Sequence, residues 1–480
     1  MAMSEVHPFD RYAKFTNLAL LKEYSAKPLR RCVRVNTILS SVEKLTQWGT
    51  EKGWQLEPVP WCKEGFFVER EDRTVPLGKD LMHLLGHFYF QEASSMLPVE
   101  LLDPQPGENI LDMAAAPGSK STQIAAKMRG RGVLVANDME DRRIKTLREA
   151  LNRSGVTNVI ITKKIGQWFG ENMTGRFDRV LIDAPCTAQG TVRKDAQALN
   201  FTSDHSIGKA AKLQRELLES AVHATKIGGR IVYSTCTLCP EENEEVVRSI
   251  LNKFSTQLEV SDPRKMSVNG AEKKLGAAVK DSLKVQGSAG DMPLLRIWPH
   301  TYDTEGFFCA VLTKTAPTRP AEKVEIKHLR EKPLPVGVQR EIRTFLRTRY
   351  GTDIVEDGEQ ILDRGDHLVL TTDQVLKFKL PTVDYAAGLP FGKRLRDVPV
   401  YIDHEMAVLR GSAATENSYT VDDGQLQQLL QGKDIACDSS LRNHVLLHYR
   451  GLCIGRGRAY MGTLKNHLPR WMIYHMQDVA

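Results

Sequence analysis

Between residues 107 and 235 the apolar positions come in short runs, each closed by a turn and followed by a segment with helical spacing. Residues 109–113 read as a strand, 120–128 as a helix and 132–137 as a second strand. Residues 141–153 set Ile144, Leu147 and Leu151 on one helical face. Strands follow at 156–162 and 179–183, then a long helix at 209–226 with Leu213, Leu217, Ala221 and Ala224 inward, then a strand at 230–234. Such alternation predicts a doubly wound α/β domain, a Rossmann-like parallel sheet with helices on both faces. Residues 306–313 (GFFCAVLT) add a late buried strand, and polar residues 260–290 read as a loop. The stretch 316–335, rich in Pro, Lys and Glu, reads as a linker. The expected division is an N-terminal extension (1–90), a catalytic domain (91–314), a linker (315–335), a small accessory domain (336–388) and a terminal domain (389–480).

At 480 residues the chain is long enough for two to four domains. With 41% hydrophobic and 26% charged residues it is expected to be soluble, and no apolar run is long enough to cross a bilayer. Residues 1–12 carry acids and no apolar h-region, which does not fit a signal peptide, so the cytoplasm is the expected location. The net charge of +7 is compatible with a nucleic-acid partner without requiring one. Eight irregularly spaced cysteines suggest reduced thiols rather than a disulfide framework.

Candidate chemistry gathers where strands end. Residues 111–120 (LDMAAAPGSK) join the first strand of the sheet to its first helix, where open parallel sheets bind ligands. Ala114, Ala115, Ala116 and Gly118 leave the backbone open, Pro117 and Gly118 shape the turn, and the helix-start amides suit a carboxylate. Neither GxGxxG nor GxxxxGK[ST] is present, which disfavours a pyrophosphate or a triphosphate. An adenosyl ligand with a carboxylate and no phosphate fits better, and Asp138 after the second strand suits a ribose. Taken alone, the segment reads equally well as a tight strand–helix turn.

Cys186 (VLIDAPCTAQG) and Cys236 (IVYSTCTLCPEEN) each follow a strand of the same sheet, so both thiols are expected at its carboxyl edge. A lone cysteine is usually a small core residue. Two at adjacent strand ends point to covalent catalysis. A thiolate adding to carbon 6 of cytosine makes carbon 5 nucleophilic toward a sulfonium methyl group. Lys120 would favour the thiolate, and Asp183 would meet the base edge. Cys236 and Cys239 also form a CxxC, but a zinc site needs a second pair that the chain lacks.

Together, FYFQEASSMLP (88–98), LDMAAAPGSK, FDRVLIDAPCTAQG and YSTCTLCPEENE resemble the Nop/Sun family of RNA 5-methylcytosine methyltransferases over residues 25–314. The ending LCIGRGRAYMGTLKNHLP (452–469) resembles a PUA-type RNA-binding domain, and the whole is most similar to the bacterial branch that modifies small-subunit ribosomal RNA. The resemblance implies S-adenosylmethionine as cofactor, its methionine end held by Ala114, Ala115, Ala116, Pro117, Gly118, Ser119 and Lys120, its ribose by Asp138, with Asp183 between cofactor and base. It implies Cys236 as nucleophile and Cys186 as the residue that assists product release. One departure is plain: the family's DGxxF acid falls at Ile165 in KKIGQWF, leaving apolar contact or another acid such as Asp141 to meet the adenine. RNA is the implied partner of a monomer: 16S rRNA, with transfer RNA the rival within the class. Arg30, Arg31 and Arg34, Arg193 and Lys194, Lys393, Arg394 and Arg396, and Arg450, Arg456, Arg458, Lys465 and Arg470 with Tyr460 and Trp471 are the expected contacts. Two readings of other classes are a non-catalytic assembly factor, which would predict damage at Cys236, Cys186 or Lys120, and a dehydrogenase, which the missing GxGxxG disfavours.

Overall fold

The computed structural model describes residues 7–263, 292–320, 325–395 and 398–473; most of the loop expected over 260–290, and Arg396, lie outside them. Helix α1 (Leu18–Ala26) leads into a small antiparallel sheet of β1 (Cys32–Val35), β2 (Trp54–Val59), β3 (Cys62–Arg70) and β4 (Phe88–Phe90), ordered β2-β3-β1-β4, with α2 (Val42–Glu51) and α3 (Leu81–Leu84) between the strands. Helix α4 (Ala93–Leu102) carries the chain onto the central sheet.

That sheet has nine strands. Its parallel part comprises β5 (Asn109–Asp112), β6 (Val133–Asp138), β7 (Val159–Lys163), β8 (Phe177–Asp183) and β9 (Thr225–Thr235), in the spatial order β9-β8-β5-β6-β7. Strands β10 (Leu258–Ser261), β11 (Leu295–Ile297) and β12 (Phe307–Lys314) add an antiparallel flank beyond β9. Both faces are covered, which is why these strands read as unbroken apolar runs. Side chains alternate between two cores: Ile110, Leu134, Ile161 and Leu181 meet α4, α5 (Ser119–Met128) and α6 (Asp141–Arg153). Leu111, Val135, Ile160 and Ile182 meet α7 (Gln167–Asn172), α8 (Asp204–Ala224) and α9 (Glu244–Lys253) on the other face. The long helix ends at Ala224, short of the expected Lys226, because Thr225 is already extended and pairs with Phe177 of β8.

The chain runs β5, β6, β7 outward on one side, then returns to lay β8 and β9 on the other side of β5. The strand order therefore reverses between β5 and β8, opening a crevice at their carboxyl ends, and both sequence-predicted turns leave from it.

Two further five-stranded sheets follow. One runs from Lys332–Pro333 to Tyr401–Ile402, and its pairing of His367–Thr372 with Leu389–Lys393 crosses the boundary expected at residue 388. Ala386–Ala387 also pairs with β7 and covers that edge of the central sheet. The last sheet contains Asn443–Tyr449 and Leu452–Tyr460. It shares one hydrophobic core with the first: Val33, Trp48, Phe66 and Phe88 cluster with Leu429, Val445, Ile454 and Leu464. Arg450 adds an ion pair to Glu51 at 3.1 Å.

Two arginines expected on an RNA surface are parts of this frame. Arg34 is 2% exposed and bonds Gln91, the Ser119 carbonyl (2.8 Å) and the Thr122 hydroxyl (2.9 Å), anchoring the first turn of α5. The Arg193 side chain is fully covered: it donates to the carbonyls of Lys27 (3.1 Å), Pro28 (2.6 Å) and Thr304 (3.2 Å) and pairs with Asp303 (2.8 Å). Arg193→Met is expected to cost about 2–4 kcal/mol in urea unfolding with no RNA present, because three carbonyls and a carboxylate lose their donor. A change within experimental error would remove Arg193 from the frame.

Candidate active site

Helix α5 begins at Gly118, whose φ of +110° an L side chain rarely adopts and whose Cβ would lie 3.0 Å from that of Ala150 on α6. Glycine there lets the two helices close together. No side chain caps the start of α5, so its first-turn amides suit a carboxylate. Ala115 and Ala116 are buried and Ala114 is half-buried. Asp138 is 2% exposed; one oxygen accepts the Glu140 amide at 3.1 Å, while Oδ2 has no hydrogen-bond partner and sits 3.4 Å from Arg143. That Oδ2 is an acceptor suited to a ribose hydroxyl. Past the paired ends of β6 and β7, Met139 and Ile165 are 59% and 55% exposed, two apolar side chains at the carboxyl edge. Asp141, the acid considered as a substitute at the adenine, is exposed and paired with Lys163. An adenosyl ligand with a carboxylate fits this edge.

Lys120 closes the crevice from the other side. Its Nζ lies 2.7 Å from Asp183 Oδ2 and 2.8 Å from Ser95 Oγ, and 5.4 Å from the centre of the Phe307 ring. Burial opposes the charged form, but the charge and hydrogen bond of Asp183, with the smaller effects of Cys236 and Asp112, together outweigh it and hold the ammonium above its ordinary range. The other Asp183 oxygen accepts from Ser234 Oγ at 2.9 Å. Ser95, Lys120, Asp183 and Ser234 thus link α4, α5, β8 and β9.

Cys186 and Cys236 lie with their sulfurs 3.5 Å apart, unbonded and both half-buried. The hydrogen bond to Cys236, then burial, then the charges of Cys236 and Glu242 push the Cys186 thiol well above its ordinary range. Cys186 is therefore held as a thiol. The CxxC does not act as a pair: Cys239 is buried, 2.9 Å from Gln189 Oε1 and 3.2 Å from the Tyr12 hydroxyl. Gly190 brings the strands together, since a Cβ on it would lie 2.3 Å from the Gly306 carbonyl and 2.7 Å from that of Cys236.

The sequence reading missed two features. Glu242, in the CPEEN segment, is fully buried between the cysteine loops. It accepts from the Thr187 amide (3.0 Å) and hydroxyl, Thr237 Oγ1 (3.1 Å) and Gln214 Nε2 (2.9 Å), fixing the residue after Cys186 to the residue after Cys236. Its position beside a catalytic motif was the available signal. The second is Glu305, just before β12, which is buried with an unpartnered Oε1 and whose backbone amide donates to the Glu92 carboxylate at 3.1 Å. Burial and the Glu92 charge push Glu305 up to about 8.

Of the terminal cations, Arg458 and Lys465 are exposed cross-strand neighbours, with Tyr460 and Trp471 also exposed. Arg456 is turned inward, over the Tyr401 ring at 4.2 Å and beside Asp403.

A nucleotide-type crevice at the strand reversal, an uncapped helix start and a cysteine pair define an S-adenosylmethionine-dependent methyltransferase. The chain belongs to the family described as 16S rRNA methyltransferase RsmB/F, whose model matches residues 99–313. Residues 12–93 match the N-terminal domain of 16S rRNA methyltransferase RsmF, and residues 416–474 its PUA domain. Similar proteins include the ribosomal RNA small subunit methyltransferases F of Psychromonas ingrahamii (36% identity, 93% of this chain and 92% of that one) and Klebsiella pneumoniae (36%, 93% and 91%). Among solved structures, a methyltransferase homologue from Pyrococcus horikoshii aligns at 37% identity and a TM-score of 0.54, over 64% of this chain and 94% of its own. NSun6 from the same organism shares the fold at 23% identity and a TM-score of 0.54, over 65% and 98%.

Two predictions follow from the buried acids. Glu242→Gln sets an amide donor against hydroxyl and amide donors, and is expected to cost about 1–3 kcal/mol in unfolding and to lower kcat while S-adenosylmethionine affinity holds. For Glu305, the unfolded chain releases its proton near the ordinary 4.5 while the folded chain keeps it to about 8, so its contribution to stability is lost as pH rises across that interval. Melting Glu305→Gln beside the wild type should show the variant gaining relative stability from pH 5 to pH 8; a constant gap would contradict the assignment.

Proposed function

We propose that this protein methylates carbon 5 of a cytosine in 16S rRNA through a covalent Cys236 adduct. The observation that carries the reading is the pair of sulfurs 3.5 Å apart beside the Lys120–Asp183 ion pair, at the crevice where strand order reverses. The names of the relatives favour 16S rRNA over transfer RNA.

S-adenosylmethionine, when bound, supplies an electrophilic methyl group. Residues Ala114–Lys120 would hold its methionine end and Asp138 its ribose, with Met139 and Ile165 against the adenine. The target base must leave any helix to reach the crevice. The Cys236 thiolate forms a bond to carbon 6, and the electron pair of the C5–C6 double bond moves toward carbon 5. Asp183 accepts a hydrogen from the exocyclic amine, and the Lys120 ammonium offsets negative charge developing on the ring. After methylation, a water in the open crevice takes the proton on carbon 5, which restores the double bond and expels the Cys236 sulfur with its electron pair. Cys186, held as a thiol, stands ready to give that sulfur its proton. The reading includes a cytoplasmic monomer acting on the RNA or on the 30S subunit.

Bisulfite sequencing of unmodified ribosomal and transfer RNA, and of 30S subunits, after incubation with enzyme and S-adenosylmethionine tests this. A protected cytosine in 16S rRNA that vanishes with Cys236→Ala is expected, and Cys186→Ala should accumulate a protein–RNA adduct that survives denaturing electrophoresis. Protection that persists without Cys236 would overturn the covalent mechanism.

A further inference from the structure

Beside Cys186, on the side away from Lys120, an open groove of about 670 Å³ lies between the Pro185–Cys186 turn and the N-terminal half of α8. The α8 wall presents His205, Lys209, Lys212, Leu213 and Glu216. Lys209 and Lys212 are three residues apart on a helix, so their ammonium groups emerge on neighbouring positions of one face. Both are exposed, and neither makes an ion pair among the described residues. Most other cations near the crevice are committed: Lys120 to Asp183, Arg193 to the frame, Arg143 to Asp138 and the Ala116 carbonyl. Glu216, the one acid lining the groove, accepts a hydrogen bond from Gln167 at 2.9 Å. The wall is therefore net cationic, with two ammonium groups unpaired among the described residues against one carboxylate. Leu213 and Pro185 face each other as an apolar strip that a sugar or base face can cover.

We propose that this groove holds the RNA strand adjoining the target cytosine, with Lys209 and Lys212 each neutralising a backbone phosphate. The inference rests on the reading of the chain as an RNA methyltransferase and adds where the strand runs. A base delivered to Cys236 remains attached to its neighbours on both sides, and the groove is lined by Cys186, whose sulfur lies 3.5 Å from that of Cys236. Phosphate contacts position a strand without reading its sequence, which suits a site whose chemistry needs one base held still.

The test is a Lys209→Ala/Lys212→Ala double variant of the full chain, assayed on in-vitro-transcribed 16S rRNA and on unmodified 30S subunits across a salt series. Both positions are exposed and alanine favours helix, so the fold should be retained. Affinity for RNA should fall about tenfold or more. The slope of log affinity against log salt should become shallower by about 1.4, from about 0.7 per phosphate contact on a single strand. S-adenosylmethionine affinity should hold, and a Lys209→Arg/Lys212→Arg variant should recover the RNA affinity. An unchanged affinity and slope in the alanine variant, with the wild type binding and methylating RNA, overturns the groove assignment alone. If the wild type neither binds nor methylates RNA, the reading beneath it fails as well.

Discussion

The buried contact between Lys120 and Asp183 sets the arrangement of everything at the carboxyl edge of the sheet. An ammonium this deep is tolerable only with an opposite charge and its remaining hydrogens satisfied. Asp183 supplies the charge, Ser95 takes a second hydrogen and the Phe307 ring covers another side. Those three partners come from three separate elements, so Lys120 ties β8, α4 and β12 to α5. The Asp183 carboxylate is then aimed by Ser234, one strand further along. Removing either charge would leave the other stranded in the crevice, which is why the two act as one unit.

The cysteines depend on a second buried charge. Glu242 has no ion-pair partner among the described residues and is satisfied by hydroxyl and amide hydrogens alone. Its location between the loops does two things. It sets the two sulfurs within contact distance, and its negative charge adds to the forces holding Cys186 in the thiol form. A thiol held this way is a proton donor beside the second sulfur.

Much of this was legible in the sequence because it is local. Strand runs at Ile110, Val135 and Ile182 declare themselves through apolar continuity, and the turn at Gly118 through small residues placed between strand and helix. Strand ends locate Cys186 and Cys236 on one edge once the parallel topology is accepted. What the sequence hid depends on distant partners. Arg34 and Arg193 look like surface cations in any local window, and only the positions of Ser119, Thr304 and the Lys27 carbonyl turn them inward. Glu242 is one acid in an acidic run, and only Thr187, Thr237 and Gln214 turn it inward. The third sheet runs through residue 388 because strands either side pair with each other, a register that no composition shift marks.

The hydrophobic core shared by the first and last sheets gives the chain an unusual order of completion. Val33, Trp48 and Phe88 appear early in synthesis, but Leu429, Val445 and Leu464, which cover them, are made only near the end. Until then the nascent amino-terminal sheet carries an apolar face open to solvent, a surface that invites chaperones or self-association. Shortening the chain at its carboxyl end would therefore do more than delete an RNA-binding appendage; it would leave the opposite terminus unfinished.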